Sequence, residues 1–174
     1  SEMCIRDRFY GVLHSNDMPD FVLYQDAQVI ENPVNQTTLT QRYTAESLRF
    51  IEENRDQPFF LYLPHSFPHV PLFVSSEFEN QSDAGLYGDV VETIDWSMGE
   101  ILDKLKELEI DEHTMVIFTS DNGPWFEGSS GQFRNRKGSS WEGGLRVPFI
   151  ARWPGVIPTG SHSSEAAMNI DILP

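Results

Sequence analysis

The sequence of 174 residues has one cysteine, few basic residues and no long apolar run. Because Cys4 is alone, no disulfide can form within the chain. No stretch reaches the roughly 20 apolar residues of a transmembrane helix, and no signal peptide is visible. Twelve basic residues against 27 acidic ones give a formal net charge of −15, which argues against nucleic acid as a general partner. The sequence therefore predicts neither a nucleic-acid partner nor a membrane partner.

The few basic residues are unevenly distributed. Between residues 129 and 152, a single acid, Glu142, accompanies five basic residues: Arg134, Arg136, Lys137, Arg146 and Arg152. A basic cluster in an acidic protein suits a small anion better than a long polyanion. A solvated loop with chance charge remains the alternative. Glu142 and Arg146 are four residues apart, and we expect them to pair with each other.

The pattern of apolar residues predicts an α/β fold. A helix is expected from Thr44, as its N-cap, to about Asn54, and a longer one over about Leu86–Leu108. Residues 9–40 are expected to be mostly loop, with a possible short strand at Phe21–Tyr24. Two apolar runs predict buried strands at Phe59–Leu63 and Met115–Thr119, and a third strand is predicted at Val147–Trp153. Two of these strands joined by the long helix form a βαβ unit, which favours a mostly parallel sheet flanked by helices.

Polar residues follow the second predicted strand, in Ser120-Asp121-Asn122-Gly123-Pro124. In open α/β sheets, ligands bind outside the carboxyl ends of the strands. The carboxylate of Asp121 and the amide oxygen of Asn122 are ligands that Ca²⁺ and Mg²⁺ accept. Two ligands make an incomplete site, so others must come from elsewhere. The same residues are strong turn formers, and a simple Asx turn remains the alternative.

A second loop follows the first predicted strand and contains His65 and His69 among three prolines. A histidine in such a loop can donate to an anion or protonate a leaving group. In the basic segment, Lys137 carries a compact charge suited to an oxygen of a tetrahedral anion. We expect Asp121, Asn122, Lys137 and His69 to share one pocket where two neighbouring strands end.

Several segments together resemble the sulfatases, the arylsulfatase branch of the alkaline-phosphatase-like superfamily. The most specific pair is Asp121-Asn122-Gly123-Pro124 after an apolar strand, followed by a K-x-x-x-W-E-G-G-x-R-V-P segment that begins at Lys137. Phe59–Pro71 and Tyr87–Gly99 also match. The resemblance implies an alkaline-phosphatase-like fold and, in the intact parent, hydrolysis of sulfuric esters. It also implies a small-molecule or carbohydrate sulfate ester as substrate.

The resemblance assigns roles to individual residues. Asp121 and Asn122 match the family's Ca²⁺ ligands, with Mg²⁺ a less favoured occupant. Lys137 and His69 match residues that bind the substrate's sulfate and take part in catalysis. Ser15, within the segment Phe9–Asp17, matches a serine that reaches the sulfate. His65 competes with His69 for the histidine role, and the Val-Pro pair that follows His69 favours the latter.

The start of the chain departs from the family. Sulfatases use a formylglycine, made from the cysteine of a C-x-P-S-R-like motif, as the nucleophile. Cys4 has Arg8 at the right spacing, but Arg6 stands where the motif has Pro or Ala, so Cys4 is not expected to be that cysteine. Residues 1–8 are expected to be a non-native lead. Residues 9–174 are expected to be the C-terminal half of a sulfatase catalytic domain.

Two expectations follow from this incomplete match. The chain is expected to be an inactive fragment of an exported enzyme, whether periplasmic, extracellular or lysosomal, with the formylglycine in its upstream part. Two alternatives stay open. One is a phosphoryl-transfer hydrolase of the same superfamily, and the other is a remnant that binds an anion without turnover.

Overall fold

The computed structural model describes residues 7–172, so the expectations about Cys4 and the first six residues lie outside the described part of the chain. The chain divides into two compact units, residues 1–108 and residues 109–174. In the part of the chain that the structure describes, no helix combines the length and the apolar character needed to cross a membrane.

The first unit begins with a small antiparallel sheet. Its strands are β1 (Tyr10–Gly11), β2 (Leu23–Gln25) and β3 (Gln28–Glu31), in that spatial order. Asp26 lies in the β2–β3 turn with a positive φ of 52°, and its carboxylate accepts a hydrogen bond of 2.9 Å from the Phe9 amide. The short strand expected at Phe21–Tyr24 is confirmed as β2, which begins two residues later and ends one residue later than predicted.

Two helices pack together in the first unit, α1 (Leu39–Glu53) and α2 (Gly85–Glu107). The long helix predicted from its apolar stripe is confirmed as α2. The expected cap at Thr44 is wrong, since the helix begins five residues earlier. The Thr44 hydroxyl lies inside α1, where it donates to the Thr40 carbonyl at 2.7 Å and lies 2.7 Å from the hydroxyl of Ser97 on α2.

The start of α1 is instead prepared by Asn35. Its side-chain oxygen accepts a hydrogen bond of 3.2 Å from the Thr37 amide, at the head of a 3₁₀ turn, Gln36–Thr38, that leads directly into the helix. Asparagine is among the best capping residues because its short side chain reaches the unpaired amides of a first turn. The apolar side chains buried most completely in this unit come from β2 and both helices: Leu23, Leu39, Ile51, Val90 and Leu105.

A buried carboxylate holds the loop that precedes α2. Asp89 is 2% exposed and accepts hydrogen bonds from the amides of Ser82, Asn80 and Gln81 at 2.8, 2.9 and 2.9 Å. These bonds, with the one from Ser82 as the largest cause, lower the pKa of the Asp89 carboxyl. The charged form of Asp89 therefore fastens residues 80–82 to the first turn of the helix.

Residues 59–63 form no strand, which corrects the prediction of a strand buried on both faces. Phe60 and Tyr62 are 49% and 59% exposed, and Phe59 packs edge-to-face on Phe50 with ring centroids 5.8 Å apart. A strand requires a hydrogen-bonding neighbour, and the described residues provide none for this segment. The parallel pairing expected of a βαβ unit is therefore not formed within residues 7–172, where every strand pair is antiparallel.

The second unit contains β4 (Val116–Thr119) and β5 (Phe149–Arg152), which pair antiparallel from Val116 opposite Arg152 to Thr119 opposite Phe149. Both predicted strands are confirmed with shorter bounds, but β4, predicted to be buried, is only half-buried, and in β5 Phe149 and Ile150 are 55% and 62% exposed. Arg152 donates two hydrogen bonds to the Asp111 carboxylate, at 2.5 and 2.8 Å. This pair fastens β5 to the 3₁₀ turn Asp111–His113.

We predict that Asp89→Asn lowers the melting temperature of the protein at pH 7, since an amide cannot present two oxygens to three donors. The pKa of Asp89 is lowered in the folded state. Its contribution to stability is therefore present above the unfolded-state pKa and is lost as the pH falls below about 4. Thermal unfolding followed by circular dichroism at pH 7 and pH 3 measures both effects.

The matched control is Asp95→Asn, which removes an exposed carboxylate from the same helix. Equal melting temperatures for the two variants at pH 7 would contradict the role given to Asp89.

Candidate active site

Asp121 and Asn122 lie directly after β4, as the sequence predicts. The Ser120 hydroxyl donates to the Asn122 carbonyl at 3.2 Å and lies 3.4 Å from Oδ1 of Asp121. Asp121 is exposed, and its Oδ2 has no hydrogen-bond partner in the described part of the chain. The carboxylate is therefore open to a ligand.

Three backbone hydrogen bonds assemble the loops around this turn. The Gly123 amide donates to the Gly144 carbonyl at 3.0 Å, the Lys137 amide to the Pro124 carbonyl at 3.0 Å, and the Gly143 amide to the Arg134 carbonyl at 2.9 Å. Lys137 is 15 residues from Asn122 in sequence, yet its backbone is bonded to the end of the same turn. The structure thus brings the predicted anion-binding lysine to the predicted metal ligands at the level of the main chain.

Glycines are required where these loops meet because the backbones nearly touch. A Cβ added to Gly123 would lie 2.1 Å from the Gly143 carbonyl oxygen, and one added to Gly143 would lie 2.1 Å from the Asn135 carbonyl oxygen. Both distances are far below van der Waals contact, and the obstructing atoms belong to backbone. The Gly143-Gly144 pair lies in α3 (Glu142–Leu145), a single turn of helix.

The basic segment separates into four engaged arginines and one unengaged lysine. Arg136 donates to the carbonyls of Trp125 and Gly128 at 3.0 and 2.6 Å, so it closes the loop that follows the turn. Arg152 binds Asp111, as described above. The other two arginines stack on aromatic rings. Cζ of Arg134 lies 3.7 Å from the centroid of the Trp141 ring, and Cζ of Arg146 lies 4.6 Å from that of Phe133.

The Lys137 ammonium has no ion pair and no hydrogen bond to any residue between 7 and 172. The basic cluster expected from the sequence therefore reduces to one cation that is free for a ligand. The expected pairing of Glu142 with Arg146 is confirmed, with 3.4 Å between Oε2 and Nη1. Sequence reasoning missed the clamp made by Arg136, because charge alone does not indicate that an arginine bonds to carbonyl groups.

The first unit brings together two other predicted residues, Ser15 and His69. The Ser15 hydroxyl lies 3.4 Å from Nδ1 of His69. The same nitrogen lies 3.1 Å from Oδ1 of Asn16 and 2.7 Å from the Val70 carbonyl oxygen. Sequence reasoning did not single out Asn16, which is buried and gives no sign of its role beyond its position next to Ser15.

The two candidate histidines have different environments. Burial lowers the pKa of His65 to about 4, and its buried Nδ1 has no hydrogen-bond partner among the residues that the structure describes. His65 is therefore uncharged near pH 7 and presents no cation to an anion. His69 is partly exposed and hydrogen-bonded through Nδ1, which leaves Nε2 as its second nitrogen. These environments support His69 over His65.

The oxygen ligands after β4 suit a hard cation but do not complete a site for one. Among residues 7–172, no group of three or more His, Cys, Asp or Glu side chains is placed to hold a metal ion. Asp121 and Asn122 offer three side-chain oxygens at most, whereas Ca²⁺ takes six to eight ligands. A metal ion bound here would need further ligands besides these two side chains.

Comparison with known proteins identifies related chains. The family model described as Sulfatase matches residues 5–174. The chain is 40% identical over 176 residues to the steryl-sulfatase of Homo sapiens, with 95% of this chain and 30% of that protein covered. It is 40% identical over 165 residues to the arylsulfatase of Hemicentrotus pulcherrimus, with 90% and 30% covered. The chain thus spans about a third of the length of the curated relatives it matches.

Solved structures of similar fold agree with these matches. A crystal structure of Ps i-CgsB in complex with k-i-k-neocarrahexaose aligns with a TM-score of 0.70 at 29% identity, over 80% of this chain and 32% of that one. The PsFucS1 sulfatase from Pseudoalteromonas sp. aligns with a TM-score of 0.67 at 31% identity, over 79% and 30%. The α/β, alkaline-phosphatase-like fold class predicted from the sequence is thereby confirmed for this incomplete domain.

We predict that Gly143→Ala lowers the free energy of unfolding by about 1–3 kcal/mol, since the added methyl group overlaps a carbonyl oxygen in a packed loop. Equilibrium denaturation in urea measures the change. Gly99→Ala is the control, because a Cβ on this helical glycine meets no atom of residues 7–172 within 4 Å apart from the backbone of its own helix. Alanine there is expected to be neutral or stabilising. A Gly143→Ala protein as stable as Gly99→Ala would show that the loops do not pack as described.

Proposed function

Because this chain belongs to the sulfatase family, we propose that its parent enzyme hydrolyses sulfuric esters. The observation that carries the proposal is Lys137, an ammonium without an ionic partner among residues 7–172, whose backbone is bonded to the Asp121–Pro124 turn. Asp121 is exposed and offers a free oxygen to a metal ion, and the Lys137 ammonium can attract an anion. An anion bound together with a metal ion would use both groups.

Lys137 is proposed to bind a sulfuryl oxygen of the substrate and to stabilise the charge that grows there as the S–O bond to the alcohol breaks. A preorganised cation acts strongly in such a role because its position costs no reorganisation during the reaction. The hydrogen bond between the Lys137 amide and the Pro124 carbonyl supplies that preorganisation. The four neighbouring arginines support the loop and do not compete for the anion.

Ser15 and His69 are also proposed to donate hydrogen bonds to a sulfuryl group, Ser15 as a neutral donor and His69 as a charged one. The Ser15 hydroxyl can donate to a sulfuryl oxygen, and His69 can donate through Nε2 when its ring carries two protons. Their contact at 3.4 Å supports a shared role in the first unit. His69 is also the candidate to act in catalysis by protonating a leaving group.

Asp121 and Asn122 are proposed as two ligands of a Ca²⁺ ion, with Mg²⁺ less suited because it demands a stricter octahedral geometry. A bound metal ion would polarise the sulfuryl group as a Lewis acid. The nucleophile is expected from a formylglycine in another part of the parent enzyme, as the family resemblance implies. Within this chain, the residues that we assign bind and orient the ester and balance its charge.

The names of the relatives support an ester of a small molecule or a carbohydrate as substrate. They include a steryl-sulfatase, an arylsulfatase and an N-acetylgalactosamine-6-sulfatase, the last from Canis lupus familiaris. An exported parent enzyme is proposed on the same family basis. The direct test compares hydrolysis of 4-nitrophenyl sulfate and 4-nitrophenyl phosphate by the full-length enzyme with added Ca²⁺. Preferential hydrolysis of the phosphate ester would replace the sulfatase proposal with a phosphoryl-transfer activity.

We predict that Lys137→Ala in the full-length enzyme lowers kcat/KM for 4-nitrophenyl sulfate by about 10²-fold, the usual effect of removing one group that stabilises a developing oxyanion. Lys106→Ala is the control, since Lys106 lies on α2 and pairs with Asp103. We expect the control to retain full activity. Unchanged kinetics for Lys137→Ala would remove this residue from the site.

We predict that Asp121→Asn weakens Ca²⁺ binding by the full-length enzyme at least tenfold, because the variant loses the only charged ligand that we assign in this chain. Isothermal titration calorimetry of the metal-depleted protein with CaCl₂ measures the dissociation constant. Glu127→Gln removes an exposed acid from the following loop and tests whether charge alone explains the effect. Equal losses in the two variants would argue against direct ligation by Asp121.

A further inference from the structure

Asn16 is a buried polar residue at the centre of a hydrogen-bond network in the first unit. The residue is 4% exposed, and its side chain makes three polar contacts within residues 7–172. Nδ2 donates to the Pro71 carbonyl at 2.8 Å and to Oε1 of Gln36 at 3.1 Å, while Oδ1 lies 3.1 Å from Nδ1 of His69. The network therefore links Asn16 to a residue that we assign to the sulfate site.

The chemistry of the partners determines which way the Asn16 amide faces. The Pro71 carbonyl can only accept, so the Asn16 amide group must present its NH₂ to it. Gln36 agrees independently: its Nε2 donates to the Asn16 backbone carbonyl at 3.2 Å, which leaves its Oε1 to accept from Asn16. The Pro71 carbonyl and the main-chain carbonyl of Asn16 thus require the same orientation of the side-chain amide, with Oδ1 of Asn16 toward His69.

The orientation of Asn16 in turn determines the proton on His69. Oδ1 of Asn16 and the Val70 carbonyl oxygen, 3.1 and 2.7 Å from Nδ1 of His69, are both acceptors. Nδ1 must therefore carry a hydrogen, and in the neutral ring Nε2 carries none. A second proton, taken up on Nε2, makes the ring a cation with a donor available for an anion.

The same reasoning extends to Ser15. Its hydroxyl lies 3.4 Å from Nδ1 of His69, a nitrogen that already bears a hydrogen and cannot accept another. The Ser15 hydroxyl can therefore only accept from His69, and its own hydrogen is available for another acceptor. A sulfuryl oxygen, which has lone pairs and no hydrogen, meets that need.

We propose that Asn16 is a positioning residue for sulfate binding, which holds Nδ1–H of His69 and so leaves Nε2 of His69 and the Ser15 hydroxyl hydrogen for the ester. This inference rests on the proposed function, since it assumes that His69 contacts the sulfuryl group. Asn16 itself acts through His69. A purely structural role, in which Asn16 only ties together the backbone near residues 36 and 71, makes different predictions.

The test is a double-mutant cycle in the full-length enzyme with Asn16→Leu and His69→Ala. The Michaelis constant for 4-nitrophenyl sulfate and the inhibition constant for inorganic sulfate are measured in all four proteins. We expect Asn16→Leu to raise the inhibition constant about tenfold when His69 is present and less than about twofold when it is absent. An equal fold-change in both backgrounds would mean that Asn16 does not act through His69, and would overturn the proposal.

Two further variants keep the cycle interpretable. Thr44→Val removes a buried hydroxyl of the same unit that does not contact His69, and it is expected to leave the inhibition constant unchanged even if it lowers the melting temperature. Gln36→Met removes the two hydrogen bonds between Gln36 and Asn16. It is expected to raise the inhibition constant by a smaller factor than Asn16→Leu does. If Asn16→Leu does not fold, the same cycle with Gln36→Met decides, and an effect of Gln36→Met that persists without His69 overturns the proposal.

A spectroscopic measurement separates this proposal from the proposed function. Nuclear magnetic resonance of the full-length enzyme labelled with ¹⁵N-histidine, at a pH where His69 is neutral, is expected to find the hydrogen on Nδ1. A hydrogen on Nε2 would overturn the role of Asn16 whether or not the enzyme hydrolyses sulfuric esters. Absence of turnover in the unaltered enzyme would instead refute the proposed function. A His69→Ala enzyme with unchanged sulfate inhibition would refute the role of His69 and the role of Asn16 with it.

Discussion

The hydrogen bond from the Lys137 amide to the Pro124 carbonyl is the contact on which the candidate site of the second unit depends. It fixes the lysine through its main chain, so the side chain is not needed to hold the loop and can bind a ligand. Glycines at positions 123 and 143 let the loop segments beside this bond approach closely. Holding a long loop against a turn costs conformational entropy. The hydrogen bonds from Arg136 to the Trp125 and Gly128 carbonyls help to offset that cost.

The first unit shows how equal side chains acquire different chemistry. His65 and His69 belong to the same proline-rich loop, but burial makes one neutral near pH 7, whereas carbonyl oxygens hold a proton on Nδ1 of the other. The difference comes from the burial of His65 and from two contacts of His69, one with the adjacent Val70 and one with Asn16, which is 53 positions away along the chain. Three arginines of the second unit follow the same rule, since Arg134, Arg136 and Arg152 are engaged by a ring, carbonyls and a carboxylate that their local sequence does not specify.

Much of the local structure could be predicted because it rests on local signals. The apolar stripe of α2 and the β-branched run of β4 are periodic patterns that neighbouring residues determine. The run at residues 59–63 carries the same signal, yet it forms no strand among residues 7–172, since pairing depends on a partner and not on the run itself. Thr44 was wrong as a cap for a related reason: its hydroxyl bonds inside the helix and against Ser97, while Asn35 prepares the helix start.

The sequence by itself determined the family, the long helix, the β4–turn motif and the residue types offered to an anion and a metal ion. Those features depend on identity and spacing, which folding does not change. Only the tertiary structure decided which basic residue stays unengaged, which histidine loses contact with solvent and which buried amide contacts the other histidine. Those outcomes depend on hydrogen bonds and burial between segments far apart in the chain, and such contacts exist only once the chain has folded.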